Sequence, residues 1–214
     1  MLRYLYGNDL SRRPRLAHGM FADRAEQFAN RLGWDVRVNS AGEERDQYDD
    51  LNPLYVIWET GEGRHGGSMR FLPTTGRTMV NEHFAFLNDG TPIASPLIWE
   101  CTRFCLAPGA ERRAAAALAL GAGELMAAFH LTHFVGVFDR RMERVYARMG
   151  LEPEVLGHSG AGRDAIGVGL WSMQASAFAP TLAKVGVSRA TSRGWLRADL
   201  GHRAKAARPE ALSA

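Results

Sequence analysis

Charged residues recur beside aromatics in segments of this chain that otherwise read as buried, and this feature constrains the fold more than any other. Arg24, Phe28 and Trp34 come first, then Asp46 and Asp49 in Asp46-Gln47-Tyr48-Asp49. Arg70 follows in Met-Arg-Phe-Leu-Pro-Thr-Thr-Gly, and then Trp99-Glu100-Cys101-Thr102-Arg103-Phe104. The set holds three charges of each sign. Taking a charge out of water is costly unless it is paired. A fold for this chain must therefore offer each of these groups a partner or a ligand.

At 214 residues the chain suits one compact domain with a proper core. No apolar stretch reaches membrane-spanning length, and Met1-Leu2-Arg3-Tyr4 runs into a strand-like segment without a signal pattern. A cytoplasmic protein with no membrane partner is expected. Cys101 and Cys105 share one apparent strand, a poor disulfide geometry, and read as buried apolar fillers. The histidines show no metal spacing, so no metal site is expected. Net charge is +3, but residues 188–214 carry Arg189, Arg193, Arg197, Arg203, Lys205 and Arg208 against Asp199 and Glu210. The basic balance is a property of that tail, which is expected to be loose, and it argues poorly for a nucleic-acid partner. The division is thus a domain over 1–187 and a basic tail over 188–214.

Residues 2–6 alternate like an opening strand, and Pro14 begins a helix running to about Leu32, with Gly33 as its stop. Met20, Arg24 and Phe28 share one face of it. Residues 35–38 read as a short strand and 39–53 as a polar loop. Residues 54–58 and 68–72 pair around a Gly-rich turn, and 73–96 read as irregular. A strand over 97–106, an alanine-rich helix over 110–133 and a strand over 133–138 follow. Asp139 caps a helix that ends at Gly150; strands at 152–157 and 166–173 and a helix at 175–185 complete the pass. The order is that of an α/β protein with a mixed sheet flanked by helices.

The ordered set of charged and aromatic residues resembles the acyl-homoserine lactone synthases, the autoinducer synthases of bacterial quorum sensing, over about residues 1–175. That family is similar in fold to the GNAT acetyltransferases, which implies a twisted mixed sheet split near its middle. The GNAT pyrophosphate turn would fall at Pro108-Gly109-Ala110-Glu111-Arg112-Arg113, where the required glycines are absent and Glu111 repels an anion. The departure favours an acyl group delivered on acyl carrier protein. The arginines at 140, 141, 144 and 148, or the tail, offer that acidic carrier a surface, unless they form an ordinary solvated face.

The resemblance implies a two-step reaction with S-adenosylmethionine as substrate and no metal or redox cofactor. Its amine attacks the acyl thioester, and its carboxylate then displaces methylthioadenosine from its own γ-carbon to close a lactone. Glu100 is the expected base, with Asp46 and Arg103 also in the catalytic group. Arg24, Phe28 and Trp34 match the family's adenosylmethionine-binding positions, joined by Asp46, Thr102 and Arg103. Asp49 and Arg70 match an ion-pair network. Glu100 is also readable as one more member of that network. Strict alternation puts Glu100 and Thr102 on one strand face and Arg103 on the other, so a shared role requires a bulge; an N–H there is expected to hold the oxyanion.

The acyl pocket is expected from Met79, Phe84, Trp99, Met126, Phe129, Gly136, Phe138, Met142, Tyr146, Met149 and Trp171. Ordinary core packing accounts equally for many of these. Family members using 3-oxoacyl chains commonly carry Thr where this chain has Gly136. Glycine has no side chain to bond a 3-oxo group and is expected to leave extra room, which implies an unsubstituted medium-to-long chain. The competing readings are a GNAT-like N-acyltransferase using acyl-coenzyme A on another amine, and a basic nucleic-acid-binding protein.

Overall fold

A computed structural model describes residues 1–162, 165–173 and 175–206, with the backbone alone for Met149, residues 175–177 and residues 202–206. Its strands are β1 (Leu2–Tyr6), β2 (Leu54–Glu59), β3 (His65–Pro73), β4 (Ile98–Leu106), β5 (His133–Asp139), β6 (Glu154–Ser159) and β7 (Ile166–Trp171). Its helices are α1 (Pro14–Ala25), α2 (Met79–His83), α3 (Ala114–Phe129), α4 (Glu143–Met149), α5 (Ala175–Val185) and α6 (Arg189–Ala206). The strands form one seven-stranded sheet in the order β1-β2-β3-β4-β5-β7-β6.

All neighbours in the sheet are antiparallel except β4 and β5. That parallel pair is short: Ile98 to Glu100 match His133 to Val135, and the pairing stops there. Both strands continue past this point without bonding to each other, so the sheet forks beside Cys101 and Gly136. A second irregularity lies on the other edge of β4. Ser68 faces Cys105 and Arg70 faces Thr102, so Met69 is opposed by two residues, Arg103 and Phe104. Arg103 takes φ +54°, the left-handed conformation that lets the strand gain one residue.

Alternation sorts the side chains into two layers. Leu54, Val56, Trp58, Met69, Phe71, Trp99 and Phe134 pack toward α3. Tyr55 and Ile57 pack toward α1 with Leu16, Met20 and Phe21. Helix α3 approaches closely because it is made of small residues; a Cβ at Gly121 would lie 2.5 Å from Val56.

Several expectations change. Helix α1 begins at Pro14, as its fixed φ favours, and continues as a π-helical turn over Glu26–Arg31. It ends with Gly33 at φ +67° and a Trp34 N–H bond to the Phe28 carbonyl, a glycine-based C-terminal closure. The strand expected at 35–38 is only a single bridge, Val38 to Glu44. The irregular stretch 73–96 contains α2 and a 3-10 turn, Ala85–Asn88. The tail is not loose over 189–206: it is helix α6, bound to the body of the protein. Ser192 donates to buried Glu124 at 2.8 Å, and Asp199 accepts the Tyr4 N–H on β1 at 3.0 Å. Residues 207–214 of the expected tail lie outside the described residues.

Candidate active site

Three guanidinium groups and three carboxylates meet on the α1 side of the sheet. Arg24, at the end of α1, donates from Nε to Glu44 at 2.6 Å and from its terminal nitrogens to Asp49 at 3.0 and 2.9 Å. Arg70, on β3, donates from Nε to the Thr102 hydroxyl at 3.0 Å and from Nη1 to Asp49 at 2.8 Å, and its Nη2 reaches Asp46 at 3.0 Å. Arg103, on β4, pairs with Glu44 at 2.9 Å and with Asp46 at 2.8 Å. The Tyr55 hydroxyl adds a 2.6 Å bond to Asp49.

Local structure delivers each group. The Asp46 carboxylate accepts the Tyr48 N–H at 2.9 Å, a side-chain-closed turn that brings Asp49 inward; Asp49 in turn accepts the Asp46 N–H at 2.9 Å. The bulge in β4 meets the requirement raised by strict alternation, since Arg103 reaches Asp46, the carboxylate that also binds Arg70, which is itself bonded to Thr102. Burial pushes the Asp46 and Asp49 carboxyls up, but the adjacent guanidiniums outweigh it and hold both below the usual aspartate range. With three guanidiniums against three carboxylates, the formal charges of the cluster sum to zero.

The third carboxylate is Glu44, a residue the sequence does not single out. It is fully buried and bridges Arg24 and Arg103. Its neighbour Glu43 instead meets His18 and Arg45 nearer the surface. Two glutamates in a polar loop carry no pattern that tells them apart.

Glu100 stands outside the network's ion pairs. Its two oxygens accept the N–H groups of Val80 at 2.6 Å and Met79 at 3.1 Å, at the start of α2. Burial raises its carboxyl above the usual glutamate range, against the opposing pull of these two bonds and of Arg70. Helix α2 is tied back to the Asp46–Asp49 turn, because Tyr48 donates to Glu82 at 2.8 Å.

The network has an outer edge. The side chains of Arg24, Glu44, Asp49 and Arg70 are at most 3% exposed, whereas Arg103 and Asp46 retain 10% and 14%. Arg103 also lies over the Phe28 ring at 5.4 Å. Phe28 stacks on Trp34, with centroids 5.1 Å apart and planes 10° apart, and Trp34 is 47% exposed. One carboxylate, one guanidinium and the exposed Trp34, seated on buried Phe28, thus form the network's rim.

The expected acyl-pocket residues fall into three places. Trp99, Met126 and Phe129 belong to the core under α3, with Trp99 and Phe129 rings 4.8 Å apart. Met79 and Phe84 lie on the α2 side, with the Met79 sulfur 3.9 Å from Arg103. Phe138, Tyr146 and Trp171 form an edge-to-face trio with centroids 5.2–5.8 Å apart. Met142 is half-buried in the 3-10 turn before α4, which Asp139 caps. The Met149 side chain lies outside what is described. Gly136 does not leave the expected room: a Cβ there would sit 3.0 Å from the Cys101 carbonyl and 3.3 Å from the Trp171 ring.

Comparison with known proteins gives the class first. A family profile described as autoinducer synthase matches residues 8–176. An acyl-homoserine-lactone synthase of Rhizobium etli is 39% identical over 182 residues, covering 82% of this chain and 85% of that protein. The solved acyl-homoserine-lactone synthase LasI superposes with a TM-score of 0.72 at 26% identity, over 87% of this chain and 95% of its own. TofI, solved in a ternary complex with an inhibitor and MTA, superposes with a TM-score of 0.67 at 25% identity, over 83% and 92%. The chain belongs to the autoinducer synthase family and is an acyltransferase of the acyl-homoserine-lactone synthase kind.

Proposed function

We propose that the protein makes an N-acyl-homoserine lactone from S-adenosylmethionine and an unsubstituted medium-to-long acyl chain held on acyl carrier protein. The observation that carries the nucleoside half is the rim formed by Asp46, Arg103 and the exposed Trp34, backed by the buried ring of Phe28. Aromatic faces attract a sulfonium cation, Asp46 accepts from the amine or the ribose hydroxyls, and Arg103 meets the substrate carboxylate. The MTA held by the related TofI supports the same reading.

In the first step Glu100 takes a proton from the substrate amine through one water. Its raised carboxyl makes it a better base, and its bonds to Met79 and Val80 fix its direction. The amine nitrogen then bonds to the thioester carbon, and the carrier thiol leaves. An N–H on the bulged stretch after Thr102 holds the oxyanion. In the second step the methionyl carboxylate oxygen bonds to the γ-carbon while the carbon–sulfur bond breaks. The sulfonium keeps the electron pair and departs as neutral methylthioadenosine. Neither step calls for a metal or redox cofactor, because the leaving groups are already activated.

The donor arm is the part shared by acyl carrier protein and coenzyme A. A hollow of about 180 Å³ beside α3, with Arg112 and Lys184 on its rim and Leu151 in its wall, suits the phosphate of that arm. Glu111, paired with Arg113 at 2.7 Å, and the absence of a Gly-rich turn favour the carrier over the nucleotide. The exposed Arg140, Arg144 and Arg148 suit its acidic surface. No helix among the described residues is long and apolar enough to cross a membrane, and a cytoplasmic location fits both substrates.

The test is to supply S-adenosylmethionine with matched acyl-carrier and acyl-coenzyme A donors and to follow methylthioadenosine and lactone together by mass spectrometry. Equimolar release of the two, faster with the carrier, is expected. Amide formation without methylthioadenosine would overturn the reaction, faster turnover with coenzyme A the donor, and mainly 3-oxo lactones the chain type.

A further inference from the structure

Resting on the acyl-transfer reading above, we propose that Trp171 is a specificity-determining residue: its indole fills the space over Gly136 and sets how far the acyl chain extends past the fork of the sheet. The placement follows from register. On β5, Phe134, Gly136 and Phe138 share the face toward α3 and α4, and across the ladder they meet Trp171, Gly169 and Gly167. Small residues on this face are therefore covered by large ones from the neighbouring strand. A Cβ at Gly167 would lie 2.9 Å from Phe138, and one at Gly136 would lie 3.3 Å from Trp171.

Gly136 is the first residue of β5 beyond its pairing with β4, and Cys101 is the first of β4. The ring that covers Gly136 thus stands where the two strands part. It is held there from several sides. Its Nε1–H donates to the Leu151 carbonyl at 2.9 Å, and its edges meet Phe138 at 5.5 Å and Tyr146 at 5.2 Å between centroids. Leu151 also lines the hollow rimmed by Arg112 and Lys184, so the indole is tethered to the wall of the proposed donor-arm entry. Trp171 itself is only half-buried, unlike the core aromatics Phe71 and Phe134.

The same geometry accounts for a preference against oxidised chains. The indole's one N–H is already used, and the neighbouring Cys101 thiol, which burial keeps protonated, directs its S–H to the Met69 sulfur at 3.8 Å. An acyl chain at the fork therefore meets an apolar wall with no free donor from either residue for a 3-oxo group.

The experiment compares the acyl-chain distribution of lactones made by the wild-type protein and by the Trp171→Leu and Trp171→Phe variants, each offered an equimolar mixture of donor lengths. Trp171→Leu is expected to shift the main product to chains longer by roughly two carbons, and Trp171→Phe to shift it less in the same direction. Trp195→Leu, on α6 against Trp58 and away from the fork, serves as the control with an unmoved distribution. A physical readout accompanies these. Gly136→Ala is expected to lower the melting temperature of the wild-type protein and to lower it less in the Trp171→Leu background. Lactones of unchanged length from both Trp171 variants, or additive melting shifts, overturn this inference while leaving the reaction standing. A wild-type protein that makes no lactone from any donor overturns both.

Discussion

The two faces of β4 show how differently one strand can be held. Toward α1, Thr102 and the bulged Arg103 join a neutral cluster of six charges in which each group is defined by its partner. Toward α3, Trp99 and Cys101 sit among apolar side chains where volume is what matters. A polar layer of this kind tolerates almost no substitution, because any loss strands a buried charge. An apolar layer accepts swaps that keep its volume.

The largest test of this contrast is Arg70→Ala. It leaves Asp46 and Asp49 facing each other without their shared cation, and a loss of about 3–5 kcal/mol in denaturant unfolding is expected. A loss under about 1 kcal/mol would mean that water screens the cluster.

Glu100→Gln tests the same face through activity. Turnover should fall about 10²–10⁴-fold, and the acidic limb of the pH profile of kcat/KM, expected above the ordinary glutamate range, should vanish. Since the amide keeps only one acceptor for the Met79 and Val80 N–H groups, some loss of stability should accompany it. Wild-type rates in this variant would remove Glu100 from the chemistry.

Two near-isosteric swaps compare the faces directly. Thr102→Val deprives the buried Arg70 Nε of its acceptor and should cost about 1–3 kcal/mol despite preserved volume. Met126→Leu, in the opposite layer, should cost less than about 1.5 kcal/mol. Equal costs would erase the distinction.

Acid should separate the layers more gently. Asp46 and Asp49 titrate below their unfolded value of about 3.9, so their contribution is complete above that pH and is lost as pH falls toward the depressed native values. Glu100, raised by burial, runs the other way and favours the folded state more as it becomes protonated. Unfolding midpoints should therefore hold from pH 7 to about pH 5 and fall from there toward about pH 1 in the wild-type protein, less steeply in Asp49→Asn. The smallest effect belongs to Trp34→Ala on the exposed rim. Stability should move by no more than about 0.5 kcal/mol, while the apparent KM for S-adenosylmethionine rises.

The polar layer was largely legible in the sequence, in part for a physical reason: arginine amid apolar helix and strand residues demands a partner. Arg24, Arg70 and Arg103 stand out on that ground, while Asp46 and Asp49 stand out through the Asp46-Gln47-Tyr48-Asp49 motif that carries the family resemblance. Glu44 does not, because its loop is already polar and only the tertiary fold distinguishes it from Glu43. Glu100 stood out for the right reason, yet its nearest partners proved to be backbone N–H groups of α2, a helix inside a stretch whose prolines and glycines suggest irregularity. The apolar layer was legible only as a class. Trp99 and Trp171 look alike in sequence, and packing alone sends one into the core and the other to the fork. The basic run after residue 188 concealed a helix because its few apolar contacts, such as Trp195 against Trp58, are spread among charges.

That helix has a consequence for how molecules of this protein meet. Strand β1 ends the sheet, and an uncovered terminal strand is a template on which a second chain can add its own. The Asp199 carboxylate occupies one of the main-chain donors such an addition would use, and Arg3 is drawn to the same group. In this way α6 acts as a guard rail, keeping crowded copies of the enzyme from stitching their sheets together.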